Sequence, residues 1–199
     1  MNKESAKIRK ARESGGGERG FSIVELLIAV LVLMTIGAMA LVQLSPMLQQ
    51  QQANAAMIEI ASEFRQAREL AMTERRNIQV SFPANNQITL TRMNLPAGQA
   101  VIGTMPIQAP AKFMLNPGTP DTPDGFGNAG AIEFGNVVNG PPTMLFQSDG
   151  TFVDTNGNLL NGTVFIGVPN APTAERAVTI VGATGRIRMY KANPTGWIN

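Results

Sequence analysis

Most positions from 21 to 44 are apolar, and between Leu26 and Val42 no side chain is charged. About twenty such residues cross the hydrocarbon of a bilayer as a helix, so a transmembrane helix is expected over 21–44. From 45 to 76 the apolar positions thin to a stripe. Met57, Ile60, Ala61, Phe64, Ala67 and Ala71 recur at steps of three and four, with Glu59, Glu63, Arg65 and Glu69 elsewhere on the wheel. That period predicts an amphipathic helix continuing from the first. Pro46 lacks a backbone donor and crowds the preceding turn, so a kink or local unwinding is expected there.

After Arg76 the period changes to two. Ile78, Val80 and Phe82 alternate with Gln79 and Ser81, residues 83–86 form a turn, and Ile88 and Leu90 alternate with Thr89 and Thr91, which reads as a hairpin. Short apolar runs follow at 101–102 and 113–115. Residues 116–130 (NPGTPDTPDGFGNAG) have no period and read as an exposed, mobile loop. Strands are expected again at 131–134, 143–147, 163–168, 176–181 and 186–190, with turns at 148–150 and 156–158. The fold class is therefore α+β: one long N-terminal helix, half transmembrane and half amphipathic, packed on an antiparallel β-sheet head. The segments are 1–20 ahead of the span, 21–44, 45–76 and a head over 77–199.

Charge changes this picture at the front. The chain carries 16 basic and 14 acidic side chains. Six of the basic ones and three of the acidic ones fall in residues 1–20, so ten and eleven remain, and the rest of the chain is net negative by one. Residues 1–20 have no apolar core of their own, unlike a cleaved secretory signal, so the hydrophobic segment would survive removal of what precedes it. Basic residues just before the span keep the amino end cytoplasmic and export the remainder.

Cysteine and histidine are absent, which removes disulfides, Ser-His and Cys-His nucleophile pairs, and the commonest transition-metal ligands. No carboxylate dyad replaces them, so no catalytic, cofactor or metal site is expected. Asp149, Asp154, Asn156 and Asn158 cluster, but their glycine falls at 157, out of step with a calcium loop, and they read as turn formers. Trp197 is expected to pack on the sheet.

One acid breaks the apolar run. Glu25 costs about 2.5–3.5 kcal/mol at the centre of a span on insertion scales. Gly20-Phe21-Ser22-Ile23-Val24-Glu25 and the apolar residues after it closely resemble the processing site of type IV prepilins and type II secretion pseudopilins. The resemblance implies cleavage after Gly20 by a prepilin peptidase and N-methylation of Phe21. It also implies that Glu25 faces the amino group of Phe21 on a neighbouring subunit, so that two buried charges offset each other. The implied partners are other pilin or pseudopilin subunits and an inner-membrane assembly platform. The implied location is the bacterial inner membrane, single-pass, with the head in the periplasm and then in a pilus or pseudopilus.

In the head, Ala67-Arg68 with Ala71, residues 146–151 (FQSDGT), 176–180 (RAVTI) and 185–189 (GRIRM) resemble the FimT/GspH group of minor pilins and pseudopilins. The resemblance covers about a third of the head. It implies a structural subunit, with capture of DNA for uptake as the alternative. Arg186 and Arg188 are two apart and share a face of a strand. They are either solvated arginines on a final edge strand, or, with Lys191 and Arg176, a patch that contacts successive phosphates.

Overall fold

In the computed structural model, which describes residues 20–94, 97–135, 137–139 and 144–199, one helix is followed by twelve strands. Residues 1–19, the strand start expected at Thr143 and the side chains at 41–43 lie outside the described residues.

Helix α1 spans Ile23–Glu74. Ser22 caps it, its hydroxyl accepting from Val24 N at 3.4 Å and its carbonyl from Leu26 N at 3.1 Å. The unwinding expected at Pro46 is absent, since α1 is helical through both Gly37 and Pro46. Proline withdraws only its own N–H, and Leu44, Met47, Leu48 and the glutamines after them favour helix on either side. The end of α1 is a Schellman turn: Arg75 takes a left-handed φ of 52° and Arg76 N donates to Ala71 O at 3.2 Å.

The chain divides into a unit ending at Gln43 and a second unit, Leu44–Asn199. In the first, the apolar side chains of α1 are exposed, Leu27 and Leu31 at 65% and Leu33 at 67%. By length and composition this part of α1 is apolar enough to cross a bilayer.

In the second unit the strands are β1 (Ile78–Ala84), β2 (Gln87–Met93), β3 (Gln99–Pro106), β4 (Lys112–Phe113), β5 (Ile132–Phe134) and β6 (Val137–Val138). They are followed by β7 (Met144–Phe146), β8 (Phe152–Asp154), β9 (Gly162–Val168), β10 (Ala171–Val181), β11 (Arg186–Asn193) and β12 (Gly196–Ile198). Every pairing is antiparallel, as expected, but the strands form two sheets where one was expected. One has the order β3-β2-β1-β7-β8, and the other β12-β11-β10-β9-β5-β6 with β4 also on β9. The second half of α1 needs both. Its stripe, including Met57, Ile60, Phe64, Ala67 and Ala71, shares one core with Val80 and Phe146 of the first sheet and Phe134, Val164 and Ile180 of the second. Phe64 sits edge-on to Phe82 at 6.2 Å and to Phe152 at 6.4 Å between ring centroids. Phe82 meets Phe113 at 5.0 Å, and Phe146 meets Phe152 at 4.7 Å. Pairs of this geometry are worth about 0.5–1.5 kcal/mol each beyond area burial.

The expectation for 116–130 holds in part: no helix or strand forms there and much of it is exposed, but it is bonded to the head. The segment lies over the face of the second sheet that carries Phe165, Ala177 and Tyr190, and carboxylates pin it there. Glu175, buried, accepts from Asn116 N at 2.9 Å and Thr119 Oγ1 at 2.5 Å. Glu133 accepts from Ala129 N at 2.6 Å, and Asp121 from Gly127 N at 3.0 Å. Thr122 is buried within it. Trp197 packs on Phe165 at 5.9 Å and donates its indole N–H to Pro120 O at 3.0 Å.

Candidate functional site

Gly20 and Phe21 precede α1 and are exposed, Phe21 at 76%. A Cβ at Gly20 would meet nothing within 4 Å, so the fold of the chain makes no demand for glycine there. Glu25 lies in the first turn of α1 and is exposed. Among the described residues it makes no ion pair. It is also the only charged residue from Phe21 to Ile58. A carboxylate in the first turn is favoured by the helix dipole, but that gain is a fraction of its cost in hydrocarbon.

At the other end of the sequence, β11 pairs with β10 in the register Val181↔Arg186, Thr179↔Arg188 and Arg176↔Lys191. Arg186 and Arg188 do share a face, as two-residue spacing requires, but their surroundings differ. Arg186 is exposed. Arg188 is bonded to Asp124 of the 116–130 segment, whose side chain is only 5% exposed. The other Asp124 oxygen accepts from Thr179 Oγ1 at 2.5 Å and from Tyr190 OH at 3.0 Å. Burial above all pushes the Tyr190 hydroxyl above its ordinary pKa, so it remains a donor to Asp124.

The two cations expected to extend the patch are elsewhere. Lys191 is three residues past Arg188 and therefore faces the other side of β11. Arg176 is buried at 4% exposure. Its Nε donates to Asn54 Oδ1 on α1 at 2.6 Å and its Nη1 to Glu175 O at 2.7 Å. Burial draws its pKa down, yet a guanidinium stays charged, and here it ties β10 to the helix. Nor is β11 the last strand at the edge. β12 pairs with it, though only at Lys191, Ala192 and Asn193.

The residues sequence reasoning missed are those around Arg68. Its Nε donates to Gly150 O at 3.2 Å, in the turn between β7 and β8. Gly185, in the turn between β10 and β11, has φ +59°, and a Cβ there would lie 2.2 Å from Gly150 O and 2.7 Å from Arg68 Nε. The helix and the two turns close on one another only because position 185 has no side chain. Beside them opens a cleft of about 490 Å³ lined by Arg65, Arg68, Glu69, Met72, Arg186 and Ile187, among others. Ala67-Arg68, Gly150 and Gly185-Arg186 stand in the stretches that carry the family resemblance, but nothing in their sequence shows that they meet.

Asp149 and Asp154 act as turn acceptors. Asp154 takes Asn156 N and Asn158 N, each at 2.8 Å, and Asp149 takes Thr151 N at 2.9 Å and Thr151 Oγ1 at 2.6 Å. These bonds hold both carboxyls below their ordinary pKa.

No family model and no curated protein matches the chain. Among solved structures it is similar to the minor pseudopilin EpsH from the Type 2 Secretion System of Vibrio cholerae, with 11% identity and a TM-score of 0.48. The likeness covers 70% of this chain and 97% of that one. At that distance it decides nothing about the site.

Proposed function

We infer that the chain is a structural subunit, a membrane-anchored minor pilin or pseudopilin. In this reading prepilin peptidase cuts after Gly20, and Phe21 becomes the methylated amino terminus. The subunit then joins a type IV pilus or type II secretion pseudopilus with other pilin or pseudopilin subunits, through the inner-membrane platform. The observation that carries the reading is α1 itself. Residues 23–40 expose apolar side chains on every side, with Glu25 the only charge, while the continuation of the same helix is built into the head. An acid placed in such a segment needs a cation from another molecule, and a freed Phe21 amino group on a neighbour supplies one.

The test is the amino-terminal mass of chain recovered from membranes, with and without active prepilin peptidase. The expected product begins at N-methylated Phe21. Chain that retains residues 1–20 in the presence of active peptidase overturns the reading. Gly20→Ala is expected to be cut in part and a bulky residue not at all. Glu25→Leu should insert as well as wild type or better and fail to enter filaments; normal incorporation would remove the Phe21–Glu25 pairing. Capture of DNA remains a second reading. It is supported by the exposed Arg186, since the guanidinium of Arg188 is already bonded to Asp124.

A further inference from the structure

The geometry points to the cleft between α1 and the turn before β11 as a docking site for an extended acidic peptide segment of a protein partner. Three guanidiniums, Arg65, Arg68 and Arg186, line it against one carboxylate, Glu69. Arg65 and Arg186 are exposed and make no ion pair among the described residues. Arg68 is set in place by its bond to Gly150 O and by the close approach of Gly185, so part of the cost of ordering a long side chain is met before a ligand arrives.

A second observation gives the ligand its shape. β12 covers β11 only from Lys191 to Asn193, and among the described residues no strand lies on the outer side of Arg186 to Tyr190. That is a short free sheet edge, and its first two residues, Arg186 and Ile187, line the same cleft. Peptides add to such edges by main-chain hydrogen bonds while their side chains read the flanking surface. Here the flanking surface would favour carboxylates for the arginines and a backbone N–H for Glu69. The methylenes of the acidic side chains would lie on Met72 and Ile187.

Glu69 favours a peptide over a nucleic acid, whose phosphates would meet the Glu69 carboxylate with no donor to offer it. The site does not depend on processing at Gly20 or on filament assembly, so it stands or falls separately from the proposed function.

The experiment uses the full chain in neutral detergent micelles, titrated against a fluorescein-labelled hexaglutamate peptide and read by anisotropy. Hexaglutamate is expected to bind at low salt and to weaken as salt rises. Arg65→Gln with Arg186→Gln should weaken it about tenfold, the size expected when two exposed charge contacts are lost. Arg188→Gln, which leaves the cleft intact, should change it less than about twofold. Arg65→Glu with Arg186→Glu should lose hexaglutamate and acquire a labelled hexalysine peptide, a gain that misfolding cannot mimic. Three results would overturn the assignment: no hexaglutamate binding at low salt, binding unchanged in both double variants, or tighter binding of an oligonucleotide of equal charge that is lost with the same two arginines.

Discussion

Along residues 23–40 of α1 the large apolar side chains are exposed, Leu31 at 65% and Ile36 at 59%, whereas Met57, Ile60, Phe64 and Ala71, further along the same helix, are at 2% or less. Both stretches have good helix formers, so propensity does not separate them. The second stretch has apolar residues on one stripe and charges on the rest, and two sheets cover the stripe. The first is apolar all round, and no single sheet could cover it. A helix of that kind asks for a solvent other than water, or for copies of itself. The comparison shows that one secondary structure can hold two parts of a chain whose stability has different sources: the head from its own strands, the first stretch from outside the subunit.

The sharpest way to break that division is a pair of truncations. Phe64→Ala removes a fully buried ring that meets Phe82 and Phe152, and should cost the head about 3–5 kcal/mol. Leu31→Ala should leave the head within about 0.5 kcal/mol of wild type. Urea unfolding in detergent, followed by Trp197 fluorescence, compares them, and equal losses would end the distinction. Glycines offer the next contrast. Gly185→Ala forces a Cβ against Gly150 O at a positive φ and should cost about 2 kcal/mol. Gly37→Ala meets nothing within 4 Å and should strengthen the helix by up to about 1 kcal/mol.

A smaller loss tests whether the second sheet's outer layer belongs to the head's cooperative unit. Asp124→Asn leaves Arg188 without its countercharge and should cost about 1–2 kcal/mol, seen as an earlier urea midpoint and faster proteolysis within 116–130. The least effect is in acid. Asp149 and Asp154 have lowered pKa values, so their contribution to stability is complete above the ordinary aspartate pKa of about 4 and disappears as pH falls through the lowered values. Asp154→Asn should lower the urea midpoint slightly at neutral pH, where the ionised carboxylate contributes, and converge with wild type as pH falls through the lowered value, so that its pH dependence below about 4 is flatter. A variant whose deficit from wild type is as large in acid as at neutral pH would contradict the assignment.

The helix was legible because its stripe is periodic, and every member of it from Met57 to Ala71 is buried. The β1–β2 hairpin was legible from alternation, though its register, with Val80 facing Leu90, came only from the structure. The second sheet was not, because β1 pairs with β7 and β5 with β9, and no local period announces a pairing between distant segments. The same holds for 116–130. Its prolines and glycines read as an open loop, while the groups that pin it include Glu175 and Arg188, which lie well beyond it in sequence. The strand irregularity between Ala171 and Arg176 also hid the burial of Arg176. The contrast between Arg188 and Lys191 needed only counting by two. At the amino end the motif itself was plain, and its meaning rests on partners outside the chain.

Arg176 and Asn54 are hydrogen-bonded across 122 residues of sequence. At synthesis rates of about 5–20 residues per second, roughly 6–24 seconds separate the appearance of the two. For most of that interval the stripe of α1 lacks β9 and β10, the central strands of the second sheet, and loop closure over such a span is slow in itself. The newly made head is therefore an exposed apolar helix waiting for its last third, and it should be most vulnerable to aggregation, and most attractive to chaperones, just before β10 is complete.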